Sequence, residues 1–147
     1  MPITTKAFGP GILKTVTGTI DWDTDPFKLM LVDNTNAPDL DLDDFRDDRT
    51  TGELAATNGY ATGGVALTAV TATYDSATDQ IRFDSADPSF SFTAAKTWRY
   101  GDIYKSRGGV ASADELLLSL AWDADQTVST TYTLNVDATG WFAIDVT

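Results

Sequence analysis

The chain predicts an all-β fold: a single-domain antiparallel β-sandwich of about eight short strands with one short N-terminal helix. Three observations lead there. Apolar and polar residues alternate through most of residues 65–146, interrupted by turn signals about every 8–12 residues, the mark of a sandwich or barrel. Twenty of the 22 acids are Asp and only two are Glu, and Thr occurs 23 times. Glu favours helices, whereas Asp favours turns and Thr favours strands. Finally, 147 residues with 42% apolar and 11% aromatic content suit one globular core. A jelly-roll-like strand order is one form such a sandwich takes.

In chain order, residues 1–11 read as an irregular N-terminal arm, because Pro2, Gly9, Pro10 and Gly11 oppose regular structure. Residues 12–147 form the β-sandwich domain. Residues 12–19 (ILKTVTGT) give the short helix, with Ile12, Leu13 and Val16 on one face. The turn DWDTDP (21–26) precedes FKLMLV (27–32), a continuous apolar run expected to be covered on both faces. Residues 33–49 make a long acidic connection in which Leu40, Leu42 and Phe45 anchor a helical turn. The stretch 65–92 forms the expected organising centre. A strand over 65–74, a turn at DSATD (75–79), a strand through Ile81 and Phe83, and another through Phe90 and Phe92 follow in turn.

Further strands are expected at 98–105, with Trp98, Tyr100 and Tyr104 on one parity, and at 116–122, with Leu116, Leu118, Leu120 and Trp122 on one face. DAD (123–125) reads as a turn. Residues 127–136 show the cleanest alternation, and 141–146 close the domain.

Composition excludes several functions. With no Cys and no His, thiolate metal sites, His-based zinc sites and a Ser/His/Asp triad are ruled out. No long apolar run spans a membrane, and residues 1–6 lack the pattern of a signal peptide. The net charge of −12 disfavours nucleic acid and anionic membranes as partners. Ten Asp between Asp21 and Asp48 hold −8 of that charge. Asp21, Asp23 and Asp25 imitate the start of a calcium loop, but Pro26 and Val32 occupy the places that need Gly and Glu. A different calcium site among Asp21, Asp23 or Asp39 to Asp48 stays open. Among so many Asp, a carboxylate pair at catalytic spacing arises without meaning, and turn acids stay ionised in solvent. The chain is expected to be non-enzymatic, with no cofactor. Trp22, Trp98, Trp122 and Trp141 fit core packing better than a sugar-stacking platform.

Six segments in order carry a resemblance: IDWDTD (20–25) leading into the strand at 27–32, APD with DDF (37–39, 43–45), GYATGGVAL (59–67), VTATYDSATD (70–79), RYGDIYK (99–105) and DATGWF (137–142). Together they resemble a group of tailed-bacteriophage virion structural proteins, over about residues 18–146. The resemblance implies a capsid decoration or cement protein that binds the major capsid protein lattice and stabilises the head. Its place would be the capsid exterior, assembled in the host bacterial cytoplasm, which a Cys-free chain suits. It also implies a homotrimer, because decoration often occupies threefold positions. The expected contacts are the arm, through Pro2, Ile3, Phe8 and Pro10, and the acidic loop, through Asp39, Asp41, Asp43 and Asp44. The alternative is a tail or surface module that binds host glycan, which requires several Trp exposed on one face.

Overall fold

A computed structural model describes residues 2–146. It contains ten strands and one α-helix: β1 Ile3–Ala7, α1 Gly9–Val16, β2 Phe27–Val32, β3 Val65–Ala66, β4 Thr71–Asp75, β5 Gln80–Asp84, β6 Ser89–Ser91, β7 Lys96–Lys105, β8 Leu116–Val128, β9 Thr131–Thr133 and β10 Phe142–Asp145. Two 3₁₀ turns cover Arg46–Gly52 and Ala111–Ala113. The strands form a five-stranded antiparallel sheet ordered β1-β8-β7-β2-β3, a three-stranded sheet β10-β5-β4, and the pair β6-β9. The all-β sandwich-like domain expected from alternation is therefore the fold found.

The five-stranded sheet carries apolar side chains on both faces. On one face, Leu29, Leu31, Trp98, Leu118, Leu120 and Trp122 pack against Phe83, Phe90, Phe92, Leu134 and Trp141 from the smaller sheets and their loops. Aromatic contacts tie the layers together: Trp98 meets Tyr132 at 4.9 Å and Phe92 at 5.8 Å between ring centroids. The opposite face holds a smaller cluster of Phe8, Met30, Val32, Tyr104 and Leu116. The alternation of Leu29 and Leu31 against Met30 and Val32 splits β2 between the two clusters, which explains why FKLMLV reads as unbroken apolar sequence.

Several expectations are corrected. The arm is not irregular: β1 pairs with β8 from Ile3 opposite Trp122 to Ala7 opposite Leu118. The helix begins three residues earlier than expected, at Gly9, because Pro10 fits a first helical turn, where its missing N–H costs nothing. It ends before Gly18, whose φ of +80° supplies the left-handed residue that closes a helix while the Thr19 and Ile20 amides bond Lys14 O.

The stretch 65–92 is not the centre. Residues 65–74 divide into β3 and β4 at Ala69, which has φ +51°, and four of the five β4 residues are exposed. The centre is instead the β7–β8 pair, flanked by β1 and β2. Residues 116–122 continue through the expected turn at 123–125, which is absorbed as a bulge: Trp98 lies opposite Gln126, and Tyr100 opposite Ala121. That bulge moves Trp98 to the main core while Tyr100 packs on the other cluster, so the two do not share a face. A second irregularity between Ile103 and Tyr104 separates Leu116 from Leu118 in the same way. Residues 127–136 also divide: β8 ends at Val128, and β9 pairs with β6.

Candidate partner interface

Each charged group at this end of the domain is positioned by the loop between β2 and β3. The loop folds over the second face of the large sheet and is held there by isolated bridges, Val32 with Glu53 and Phe45 with Glu115. Its Asp side chains cap its own backbone. Asp39 Oδ1 accepts from the Asp41 and Leu42 amides at 3.1 and 3.2 Å, and Asp43 Oδ2 accepts from the Asp39 amide at 2.9 Å. Asp48 Oδ2 accepts from the Asp44 and Phe45 amides at 3.0 and 3.2 Å. This is the usual turn chemistry of Asp, repeated three times in one segment.

The anchor beneath the loop is Arg49. Its side chain is fully buried, and Nε donates to Asp102 Oδ2 of β7 at 2.8 Å. Nη1 donates to Asn36 Oδ1 at 2.7 Å and lies 3.8 Å from Asp43 Oδ2. Burial pushes the Asp102 carboxyl above the usual carboxylate range, against the pull of the Arg49 guanidinium beside it. Burial raises Asp43 too, opposed by the Asp39 amide and Arg49. The two carboxyl groups share one guanidinium rather than one cleft, and Asp102 has no exposed surface. Next to this anchor, Arg46 Nε bonds Asp114 at 2.9 Å and Nη1 lies 3.5 Å from Glu53. Glu53 accepts the Tyr60 hydroxyl at 3.2 Å and the Gly63 amide, while Tyr104 Oη donates to Gly63 O at 2.8 Å. Desolvation raises both tyrosine hydroxyls above their ordinary range.

Of the expected contact residues, the structure brings both groups to one end. The Gly9 amide donates to Leu40 O at 2.8 Å, and Lys14 lies 3.7 Å from Asp44 and over the Phe45 ring, so α1 abuts the acidic loop. Pro2, Asp39 and Asp41 are exposed; Ile3, Pro10, Asp43 and Asp44 are half-buried. Phe8 is wholly buried in the second cluster and presents nothing to a partner, which corrects its assignment as a contact. Ile3 faces the main core through its pairing with Trp122.

Sequence reasoning missed the exposed apolar residues at this end. Leu42 is 76% exposed between Asp41 and Asp43, Leu13 and Val16 of α1 are exposed, and Val110 is exposed in the 106–113 loop, whose 3₁₀ turn packs on Arg46–Gly52. Leu13 and Val16 were read as a buried helix face. A helix whose buried side rests on backbone needs small residues there, and the glycines at 9 and 11 were the available signal.

The other candidates resolve as local structure. Asp21 Oδ1 accepts the Asp23 amide at 3.0 Å, and Asp25 pairs with Lys105 at 2.7 Å. Among the described residues, no group of three or more potential ligands is placed to hold a metal ion. All four Trp are buried, so they build no exposed stacking face. Among the described residues, no helix is long and apolar enough to cross a membrane. No family model, curated protein or solved structure matches the chain.

Proposed function

We propose that this chain is a non-enzymatic structural protein of a tailed-phage particle, a capsid decoration protein that docks on the major capsid protein lattice and stabilises the head. The reading begins from the resemblance of the six ordered segments and is supported by the chemistry of one end of the domain. The observation that carries it is Leu42, exposed among carboxylates on a loop that is locked from below by Arg49. A projecting apolar side chain on a rigid, acid-rimmed loop loses little conformational freedom when it is buried by a partner. Leu13, Val16 and Val110 widen that surface. Weak contacts suffice, because a repetitive shell and a trimeric ligand multiply them. The protein would be assembled in the host cytoplasm and sit on the capsid exterior.

The N-terminal segment serves this reading as scaffold, since β1 and Phe8 belong to the fold. A glycan-binding role lacks its exposed Trp face. The test is co-sedimentation of purified protein with undecorated heads, followed by electron microscopy to place it on head or tail. Leu42→Asp and Asp41→Lys are expected to abolish or sharply weaken attachment, whereas Ser76→Lys in the β4–β5 turn leaves it intact. Normal decoration by both loop variants, or density on the tail alone, defeats the proposal.

A further inference from the structure

A groove of about 290 Å³ opens on the second face of the large sheet, lined by Thr4 and Lys6 of β1, Ser119 and Ala121 of β8, and Pro38 and Leu40 of the loop. We infer that this groove binds a carboxylate carried on a short apolar stem. Four features select that chemistry.

Lys6 sits directly opposite Ser119 in the β1–β8 register, and Thr4 opposite Ala121, so ammonium and hydroxyls share one row. Ser119 is 3% exposed, and its hydroxyl, although buried, has no hydrogen-bond partner. Such a group normally has a partner when buried. All five Arg are paired with acids, as are Lys14 and Lys105, while Lys6 forms no ion pair among the described residues. An unpaired cation is a distinctive feature on a chain of net charge −12.

The fourth feature is the surroundings. The Asp39 carboxylate of the adjoining turn is bonded to the Asp41 and Leu42 amides, and Asp102 lies one strand beyond Ser119 with Arg49 on it. The groups facing the groove are therefore mostly donors, and the ligand must bring acceptors. Pro38, Leu40 and Ala121 supply apolar walls for the stem. The Gly9 amide bonding Leu40 O fixes the upper wall in place. A small organic acid and an acidic side chain of a partner protein offer the same chemistry. The site stands apart from the exposed Leu42 surface, and its failure leaves the capsid reading untouched.

The test uses the full chain labelled with ¹⁵N and titrated with sodium butanoate, with butylammonium chloride as control. Saturating amide shifts are expected at residues 4–6, 40 and 119–121 with butanoate only. Lys6→Gln, an exposed change, keeps the spectrum of a folded protein and weakens binding about tenfold or more, the usual effect of losing a charged hydrogen-bond donor. Ser119→Ala weakens it by a smaller factor. An acetylated, amidated peptide with one Glu, compared with its Gln counterpart, distinguishes the source. Tighter binding of the Glu peptide than of butanoate assigns a partner's side chain; the reverse assigns a small acid. Equal shifts with butanoate and butylammonium, shifts scattered outside the groove, or an unchanged affinity in Lys6→Gln overturn the inference.

Discussion

Arg49→Met removes the guanidinium from beneath the acidic loop while keeping most of the side chain's apolar volume. Both members of the Arg49–Asp102 pair have fully buried side chains, so solvent screens neither. Exposed pairs contribute under about 1 kcal/mol, but removing one partner of a buried pair costs about 3–5 kcal/mol, because the other charge is stranded. The upper half of that range applies here, since Asp102 Oδ1 already lacks a partner and Oδ2 would lose its only one. For a domain of this length the loss corresponds to a fall in Tm of roughly 6–20 °C. The assay is urea unfolding followed by the fluorescence of the four buried Trp, on Arg49→Met, Asp102→Asn and the double variant. The double variant is expected to be more stable than Arg49→Met alone by at least about 1 kcal/mol, because a neutral amide replaces the stranded charge.

The pH dependence has a definite sign. Without Arg49, only burial acts on Asp102, and its carboxyl rises further above 3.8. The native state then holds a proton that the unfolded state releases. Stability of Arg49→Met is fully present below the unfolded value and falls as pH rises through the raised one. From neutral pH downward the variant therefore recovers part of its deficit relative to the parent protein. A cost below about 1 kcal/mol at pH 7, or additive effects in the double variant, would falsify the view that this pair anchors the loop.

Two further outcomes follow from packing. Phe8→Ala should destabilise by about 3–5 kcal/mol, because the side chain is wholly buried with Met30, Val32, Tyr104 and Leu116; a change under 1 kcal/mol by chemical denaturation would return Phe8 to a surface role. Gly64→Ala should cost more than about 1 kcal/mol, since φ is +75° and a Cβ would run into Leu29 O, whereas Gly109→Ala, in open space without positive φ, should be near neutral or slightly stabilising; equal melting temperatures would contradict the geometry.

The sequence by itself determined the fold class, because a period of two and an Asp- and Thr-rich composition are local properties that need no partner strand to be read. It located β2, β5, β7, β10 and the start of β8 for the same reason, and it placed a helix and an acidic loop near their true positions. It could not say where alternation changes partner. Residues 127–136 keep one parity throughout, yet the first residues pair with β7 and the later ones with β6, a choice made by which edges are open. Nor could it see the bulges that send Trp98 and Tyr100 to opposite faces, since a bulge is a mismatch between two strands and not a property of one.

At the candidate interface, the charges and turns of residues 39–48 were legible, because Asp caps its own neighbours. The role of Arg49 was not. One basic residue among six nearby acids reads as solvated, and only the folding of that loop over β7 sets its guanidinium on Asp102, out of reach of water. Phe8 was misread for the same reason: Pro and Gly around it suggest a loose arm, while the open edge of β8, invisible in the sequence, turns residues 3–7 into a strand and carries Phe8 inside. Burial depends on contacts distant in the chain, and those were decided only by the tertiary structure.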